Sequence, residues 1–190
     1  MALQKIWKLK GFGGSEQLEL SQAEIPNASE DQVIIKNEAI GLNYLDIYFR
    51  TALYPWPNQE EIKILGSEAA GTVTEIGVGV KHLKVGDRVV YVVPVGAYAE
   101  YVSVHSKHVA KIPDPVSFDT AAASLLKGIT AYYLLHDTFS LKSGQTALVH
   151  AAAGGVGQLL GQWGSEIGAI MIGTAAVSYT HLRAHETQRN

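Results

Sequence analysis

The stretch Gly144-Gln145-Thr146-Ala147-Leu148-Val149-His150-Ala151-Ala152-Ala153-Gly154-Gly155-Val156-Gly157 constrains the fold more than any other part of the chain. Its apolar run from Ala147 to Val149 reads as a buried strand, and a turn without side-chain bulk carries that strand straight into a helix. Val156, Leu159, Leu160, Trp163 and Ile167 recur at a spacing that puts them on one helical face, and Gly168 ends the helix. A second apolar run, Ala169 to Gly173, follows at the separation a βαβ crossover needs. Ala152, Gly154 and Gly157 occupy the small-residue positions of a G-x-G-x-x-G turn, with Ala in place of the first Gly. The first N–H groups of a helix have no partner within it, so with the helix dipole they favour a pyrophosphate that only small residues admit. Such a turn is also found as a plain link between strand and helix. The strand before it and the helix after it favour the dinucleotide reading.

Ahead of this unit, from Lys5 to about Val104, short apolar runs are punctuated by Gly, Pro and Asn: Val33 to Lys36, Gly71 to Val73, Asp87 to Val93, and Tyr98 to Val104. They predict an all-β domain with small turns, a compact barrel. Between them Leu42 to Arg50 has helical spacing, and an irregular Pro-containing loop follows at Tyr54-Pro55-Trp56-Pro57. After Pro113 and Pro115, Ser117 can cap a short helix through Ala121-Ala122-Ala123, with Asp119 in its positive first turn. Gly128 is expected to separate it from a second helix, Ile129 to Phe139. The resulting division is 1–125 for the β-rich domain and 126–176 for the start of the dinucleotide domain. Residues 177–190 continue neither strand nor helix and are expected to be foreign to the protein, resembling translated sequencing-adaptor text. A dinucleotide domain needs further βα units. The chain therefore reads as part of a longer enzyme, and alone it is expected to be inactive.

Composition closes several alternatives. In 190 residues there is no Cys, which removes disulfides, thiolate metal sites and cysteine nucleophiles together. A net charge of -3 supplies no basic footprint for nucleic acid. No run is long and apolar enough for a secretion signal or a membrane span, so no membrane partner is expected and a cytoplasmic enzyme is the default.

Two motifs then carry a resemblance. Gly66-Ser67-Glu68-Ala69-Ala70-Gly71, with Gly77 and Val80 beyond it, matches the barrel signature of the medium-chain dehydrogenase/reductase superfamily. Gly144-Gln145, Leu148, Ala152-Ala153-Gly154-Gly155, Gly157, Gln162 and Ser165 match the spacing of its quinone oxidoreductase signature. From about Lys5 to Thr174 the chain resembles the zinc-free quinone oxidoreductase branch, which includes zeta-crystallin. This resemblance implies an α/β fold with a β-rich part, in which a GroES-like β-barrel catalytic domain precedes an incomplete Rossmann domain with a doubly wound parallel sheet. Ser67 stands where zinc alcohol dehydrogenases of the superfamily have a ligand His, and no metal is expected.

The resemblance also implies NADPH as cofactor, a small-molecule quinone or enone as acceptor, and a homodimer for the parent enzyme. Asn43 and Tyr48 resemble residues beside the nicotinamide end, and Thr130 the hydroxyl that holds the nicotinamide carboxamide. Gly154, Gly155, Val156 and Gly157 would line the pyrophosphate, Gly173 begins the region that selects the ribose, and Tyr54 with Tyr48 resembles the pair of tyrosines near the quinone pocket. No residue is assigned a catalytic proton transfer. Each side chain has a plainer use: Asn43 in a turn, Tyr48 and Tyr54 in barrel packing, Thr130 as a helix-start cap.

Other signals are set aside. His105 and His108 have no third ligand near them and read as surface or turn residues, while His181 and His185 fall in the foreign-looking tail. His150 reads as a partly buried, hydrogen-bonded imidazole, and Glu68 as a structural carboxylate. The leading function is transfer of hydride from NADPH to a quinone, electron-poor enough to accept it without a Lewis acid. The alternatives are reduction of an enal or enone double bond, and a truncated barrel fragment without catalysis.

Overall fold

The computed structural model describes residues 2–57 and 61–176. The tail expected to be foreign, 177–190, and with it His181 and His185, lies outside the described residues. The chain divides into two compact units between Leu126 and Lys127.

The first unit is built on an antiparallel sheet of β3 (Gln32–Gly41), β4 (Glu68–Ile76), β5 (Arg88–Val92), β6 (Tyr101–His105) and β7 (Val109–Lys111), in the order β6-β3-β4-β5-β7. A hairpin of β1 (Leu3–Leu9) and β2 (Leu18–Glu24) joins it through bridges at Ile6 to Ala99 and Lys8 to Ile64. The apolar runs at Val33 to Ile35, Val89 to Tyr91 and Val102 to Val104 lie in the sheet, and their alternate residues Val33, Ile35, Val89, Tyr91, Val102 and Val104 meet in one core with Ile6, Ala69, Val73 and Leu83. The hairpin and β7 are not announced by the sequence. In β1 buried Gln4, Ile6 and Leu9 alternate with exposed positions, too mixed a pattern to read as an apolar face.

The pairing of β3 with β4 shifts twice. One irregularity falls between Ile34 and Ile35, where Thr74 is the extra residue on β4, and the other between Asn37 and Ala39, where Glu38 is the extra residue on β3. Asn37, between them, is a polar clasp. Its Nδ2 donates to the carbonyls of Ala97 at 3.1 Å and Ala99 at 2.9 Å, and its Oδ1 accepts from the Tyr91 hydroxyl at 3.0 Å. Tyr91 is wholly buried, and removal from water pushes its phenol well above the usual tyrosine range, so it remains a donor.

Among the described residues three α-helices accompany the strands: α1 (Tyr44–Arg50), α2 (Phe118–Tyr133) and α3 (Gly155–Glu166). Ser117 begins α2 as expected, its Oγ accepting from the N–H of Thr120 at 3.1 Å. The expected break at Gly128 does not occur. The chain continues as one helix to Tyr133 and into a π-helical turn, Leu134–Thr138. A single Gly inside a helix costs only about 1 kcal/mol, less than its apolar neighbours recover by packing.

In the second unit β8 (Thr146–Val149) and β9 (Ile170–Gly173) pair in parallel through α3, the βαβ connection read from the sequence. Gly168, with φ +87°, ends the turn after α3, and its N–H donates to the Ser165 carbonyl. The strand expected to be buried is not: Leu148 is 58% exposed, and Ile170 and Ile172 are 59% and 50% exposed. A parallel strand is buried only when both faces are covered, and among the described residues this sheet has two strands. Tyr132, His136 and Trp163 meet in tilted and edge-to-face ring contacts at 4.7 to 5.8 Å, joining α3 to the helical segment before β8.

Replacing Asn37 with Ala leaves two carbonyls and the Tyr91 hydroxyl without their partner. It is expected to cost about 2–3 kcal/mol in urea denaturation, against about 1 kcal/mol for Tyr91→Phe, which removes one bond only.

Candidate functional site

In the first unit the site residues gather where β3 ends. Gly41 closes the strand opposite Glu68, and Asn43 caps α1 two residues later. A side chain at position 41 would meet the Cγ of Glu68 at 2.5 Å, so the glycine lets Glu68 lie against the strand end. Glu68 has no exposed surface. Its Oε1 accepts from Asn43 Nδ2 at 2.9 Å and its Oε2 from the N–H of Leu126 at 2.7 Å. The Asn43 backbone N–H donates at 2.8 Å to Asp46 Oδ2, the reciprocal bond of a capping box. Asn43 is thus held from both sides, by backbone and by amide. This goes beyond the turn role open to it in the sequence.

Asp46 is 4% exposed and Ser67 is fully buried. The Tyr98 hydroxyl donates to Asp46 Oδ2 at 3.0 Å, and Ser67 Oγ lies 3.1 Å from Asp46 Oδ1. Burial raises the Asp46 carboxyl above the ordinary carboxylate range, against the lowering effect of the donors from Asn43, Tyr98 and Ser67; the negative field of Glu68 also raises it. Sequence reading set Glu68 aside and passed over Asp46 and Tyr98. The one signal for Asp46 was its place three residues after a helix-capping Asn.

Further along α1 the Tyr48 ring lies 5.3 Å from that of Tyr54, inclined by 49°, and the Tyr54 N–H donates to the Tyr48 carbonyl at 3.1 Å. Tyr54 is 46% exposed and also meets the edge of Phe49. Neither tyrosine belongs to the hydrophobic core of the unit. Tyr54 thus rests one ring contact on the core residue Phe49 while nearly half of it stays exposed. The two rings, tilted to one another, form a partly open aromatic surface.

In the second unit Gly154 is the N-cap residue of α3 and offers no capping side chain. The N–H groups of Gly155, Val156 and Gly157 are first-turn donors that a helix cannot satisfy by itself, and Gly154 and Gly155 are exposed. A Cβ on Gly157 would collide with the Ala151 carbonyl and stand 2.6 Å from Ala152 Cα. A Cβ on Gly155 would stand 2.8 Å from Cδ of Lys127, whose stem crosses this glycine. A Cβ on Gly173 would stand 2.5 Å from that of Ala152, so strand β9 and the turn approach only because position 173 is bare. This uncapped, small-residue helix start fits the pyrophosphate of a dinucleotide. The sequence pattern missed the Lys127 stem, since it lies far from the glycines along the chain.

Thr130 sits inside α2, half-buried, and the alternative of a helix-start cap is overturned because the helix begins at Phe118. His150 is exposed rather than partly buried, but it is hydrogen-bonded as expected, with Nδ1 3.0 Å from Thr174 Oγ1. His105 and His108 contact each other ring to ring at 6.1 Å at the surface end of β6, where His105 Nδ1 accepts from the N–H of Lys107. Among the described residues no helix is long and apolar enough to cross a membrane.

Residues 29–114 match the alcohol dehydrogenase GroES-like domain. Quinone oxidoreductase 1 of Escherichia coli is 44% identical over 167 residues, which cover 87% of this chain and 50% of that protein. A 2-haloacrylate reductase of a Burkholderia species is 37% identical over 168 residues, 86% of this chain and 50% of the relative. Among solved structures, the Escherichia coli quinone oxidoreductase complexed with NADPH superposes with a TM-score of 0.89 at 40% identity, covering 97% of this chain and 56% of the other. The chain thus spans about half the length of the relatives it matches.

Glu68→Gln turns an amide NH2 toward either Asn43 Nδ2 or the Leu126 N–H, both donors. Thermal or urea unfolding is expected to report a loss of about 1–3 kcal/mol, although the new side chain has the same shape.

Proposed function

We propose that this chain belongs to the medium-chain dehydrogenase/reductase superfamily, in its zinc-free quinone oxidoreductase branch, as its likeness to the GroES-like domain and to quinone oxidoreductases supports, and that the full-length enzyme is an NADPH-dependent quinone reductase. The observation that carries the proposal is the uncapped, glycine-lined start of α3, together with the likeness to an enzyme whose structure was solved with NADPH. Bound there, NADPH would supply the hydride that reduces the acceptor.

The residues of the chain divide the remaining work. The first-turn N–H groups of Gly155, Val156 and Gly157, at the bare N-cap Gly154, would hold the pyrophosphate, while Gly173 keeps the second strand close against the turn. Thr130 would take the carboxamide, and Asn43, fixed by Glu68 and Asp46, would stand beside the nicotinamide end with Tyr48. Tyr48 and Tyr54 offer a neutral flat acceptor two ring faces and two hydroxyls, the chemistry that suits a quinone. With no Cys in the chain and Ser67 at the position of the superfamily's ligand His, polarisation of the acceptor by zinc is not part of this reading. We place the enzyme in the cytoplasm, as a homodimer that takes a small-molecule acceptor and no nucleic acid.

Reduction of an activated carbon–carbon double bond is the second reading, favoured by the likeness to the 2-haloacrylate reductase. A single assay separates the two. NADPH oxidation by the full-length enzyme is expected to run at least about tenfold faster with a benzoquinone than with an alkenal, a difference of roughly 1.4 kcal/mol in barrier, and to be unchanged by a chelator. The reverse order would favour the double-bond reading, and loss of activity on chelation with recovery on zinc would overturn both. Gly157→Val, which drives a side chain into the Ala151 carbonyl, is expected to weaken NADPH binding at least about a hundredfold, roughly 2.7 kcal/mol.

A further inference from the structure

The end of β8 and the turn after it are tied to one residue, Thr174, the first beyond β9. Its N–H donates to the Val149 carbonyl at 2.9 Å, its carbonyl accepts from the Ala152 N–H at 2.9 Å, and its Oγ1 lies 3.0 Å from His150 Nδ1. The second of these bonds is out of step with the sheet. Val149 pairs with Gly173 in the parallel register, and the ladder carried one residue further would give the Thr174 carbonyl the N–H of Ala151. The structure gives it Ala152, so two residues, His150 and Ala151, stand where the ladder has room for one, a bulge in a parallel pair. Ala151 takes φ +54°, left-handed backbone that a residue with a Cβ rarely adopts; among the described residues only Ala52 and Ala151 do so without being glycine. So turned, the Ala151 carbonyl accepts from the Gly154 N–H at 2.9 Å and lies against the face of Gly157 that lacks a Cβ. Gly154 is thereby fixed as the N-cap residue, with the N–H groups of Gly155, Val156 and Gly157 beyond it. A left-handed alanine persists only where its surroundings over-determine it, and here Thr174 supplies three contacts around it.

We propose that Thr174 is a positioning residue for the cofactor: with His150 it clasps the bulge, the bulge holds Ala151 left-handed, and the Ala151 carbonyl sets Gly154 and the helix start for the pyrophosphate. What the turn grips rests on the function proposed above, whereas the clasp rests on bonds within the second unit alone. Neither side chain has to touch the ligand. Thr174 follows Gly173, the start of the region read as selecting the ribose, so a direct contact with a 2′-phosphate is the competing role for its hydroxyl. The two roles differ in what they act on. A clasp acts on the pyrophosphate, which NADPH and NADH share, and a 2′-phosphate contact acts on NADPH only.

Thr174→Val keeps the shape and both backbone bonds and removes the hydroxyl. In the full-length enzyme it is expected to raise the Kd of NADPH and of NADH about fivefold each, with kcat at saturating NADPH within about twofold of wild type. Thr174→Ser, which keeps the hydroxyl, is expected to stay within about twofold in both Kd values. His150→Ala is expected to match Thr174→Val, and the double variant to be no worse than either, because one contact is lost in all three. With no nucleotide present, hydrogen exchange at the Gly154 amide is expected to quicken about fivefold in Thr174→Val while amides in the middle of α3 stay unchanged. A loss confined to NADPH, affinities for both nucleotides equal to wild type, or unchanged exchange at Gly154 would each overturn the proposal. If Thr174→Val does not fold, His150→Ala carries the same readouts. A wild-type enzyme that binds neither nucleotide would overturn the function proposed above, and exchange at Gly154 would then decide the clasp by itself.

Discussion

Two carboxyl groups withdrawn from water set the terms for the first unit. A buried carboxyl must be matched by donors or by a proton, and the chain meets that requirement by gathering a helix start, a strand end and a second helix around Glu68 and Asp46. Asn43 is common to both, its backbone on one acid and its amide on the other. The sheet delivers these groups to one place: β3 and β4 run antiparallel, so the end of β3 leading to Asn43 faces the start of β4 that carries Glu68. A residue read as belonging to the nicotinamide end is thereby fixed by the core rather than by the loop in which it is written.

The second unit works by omission. Its candidate phosphate site consists of backbone groups made accessible because side chains are absent at Gly154, Gly155, Gly157 and Gly173. Charge complementarity comes from the helix end itself. The first unit stabilises polar side chains by enclosing them, whereas this one leaves its donors open, a contrast that accords with one part orienting a reacting group and the other gripping an anionic ligand.

Much of this was legible in the residues. The strand, small-residue turn and helix around Gly154 are local features, and local patterns survive folding: Ser117, Gly168 and the βαβ spacing stand where they were read. What escaped depends on distance along the chain. The acceptor for the Asn43 amide is 25 residues away, and the donor to Asp46 is 52 residues away at Tyr98, so no window of sequence contains either pair. The misread break at Gly128 has another origin, since a glycine's helix penalty is small beside the packing around it. Burial of the 147–149 strand was inferred from its composition, but burial is a property of the neighbours a strand has, not of its own residues.

The two irregularities of the β3–β4 ribbon run in opposite senses, one adding Thr74 to β4 and the other Glu38 to β3. They cancel. The pairs at Val33 and at Gly41 therefore share one frame, and only the short span carrying Asn37 is offset between them. Deleting either extra residue alone would slide the Gly41 end by one step and reverse the side to which each residue there points, taking Glu68 away from Asn43. Length changes in this ribbon are thus tolerable only as compensating pairs, a pattern to look for when the chain is aligned with shorter or longer kin.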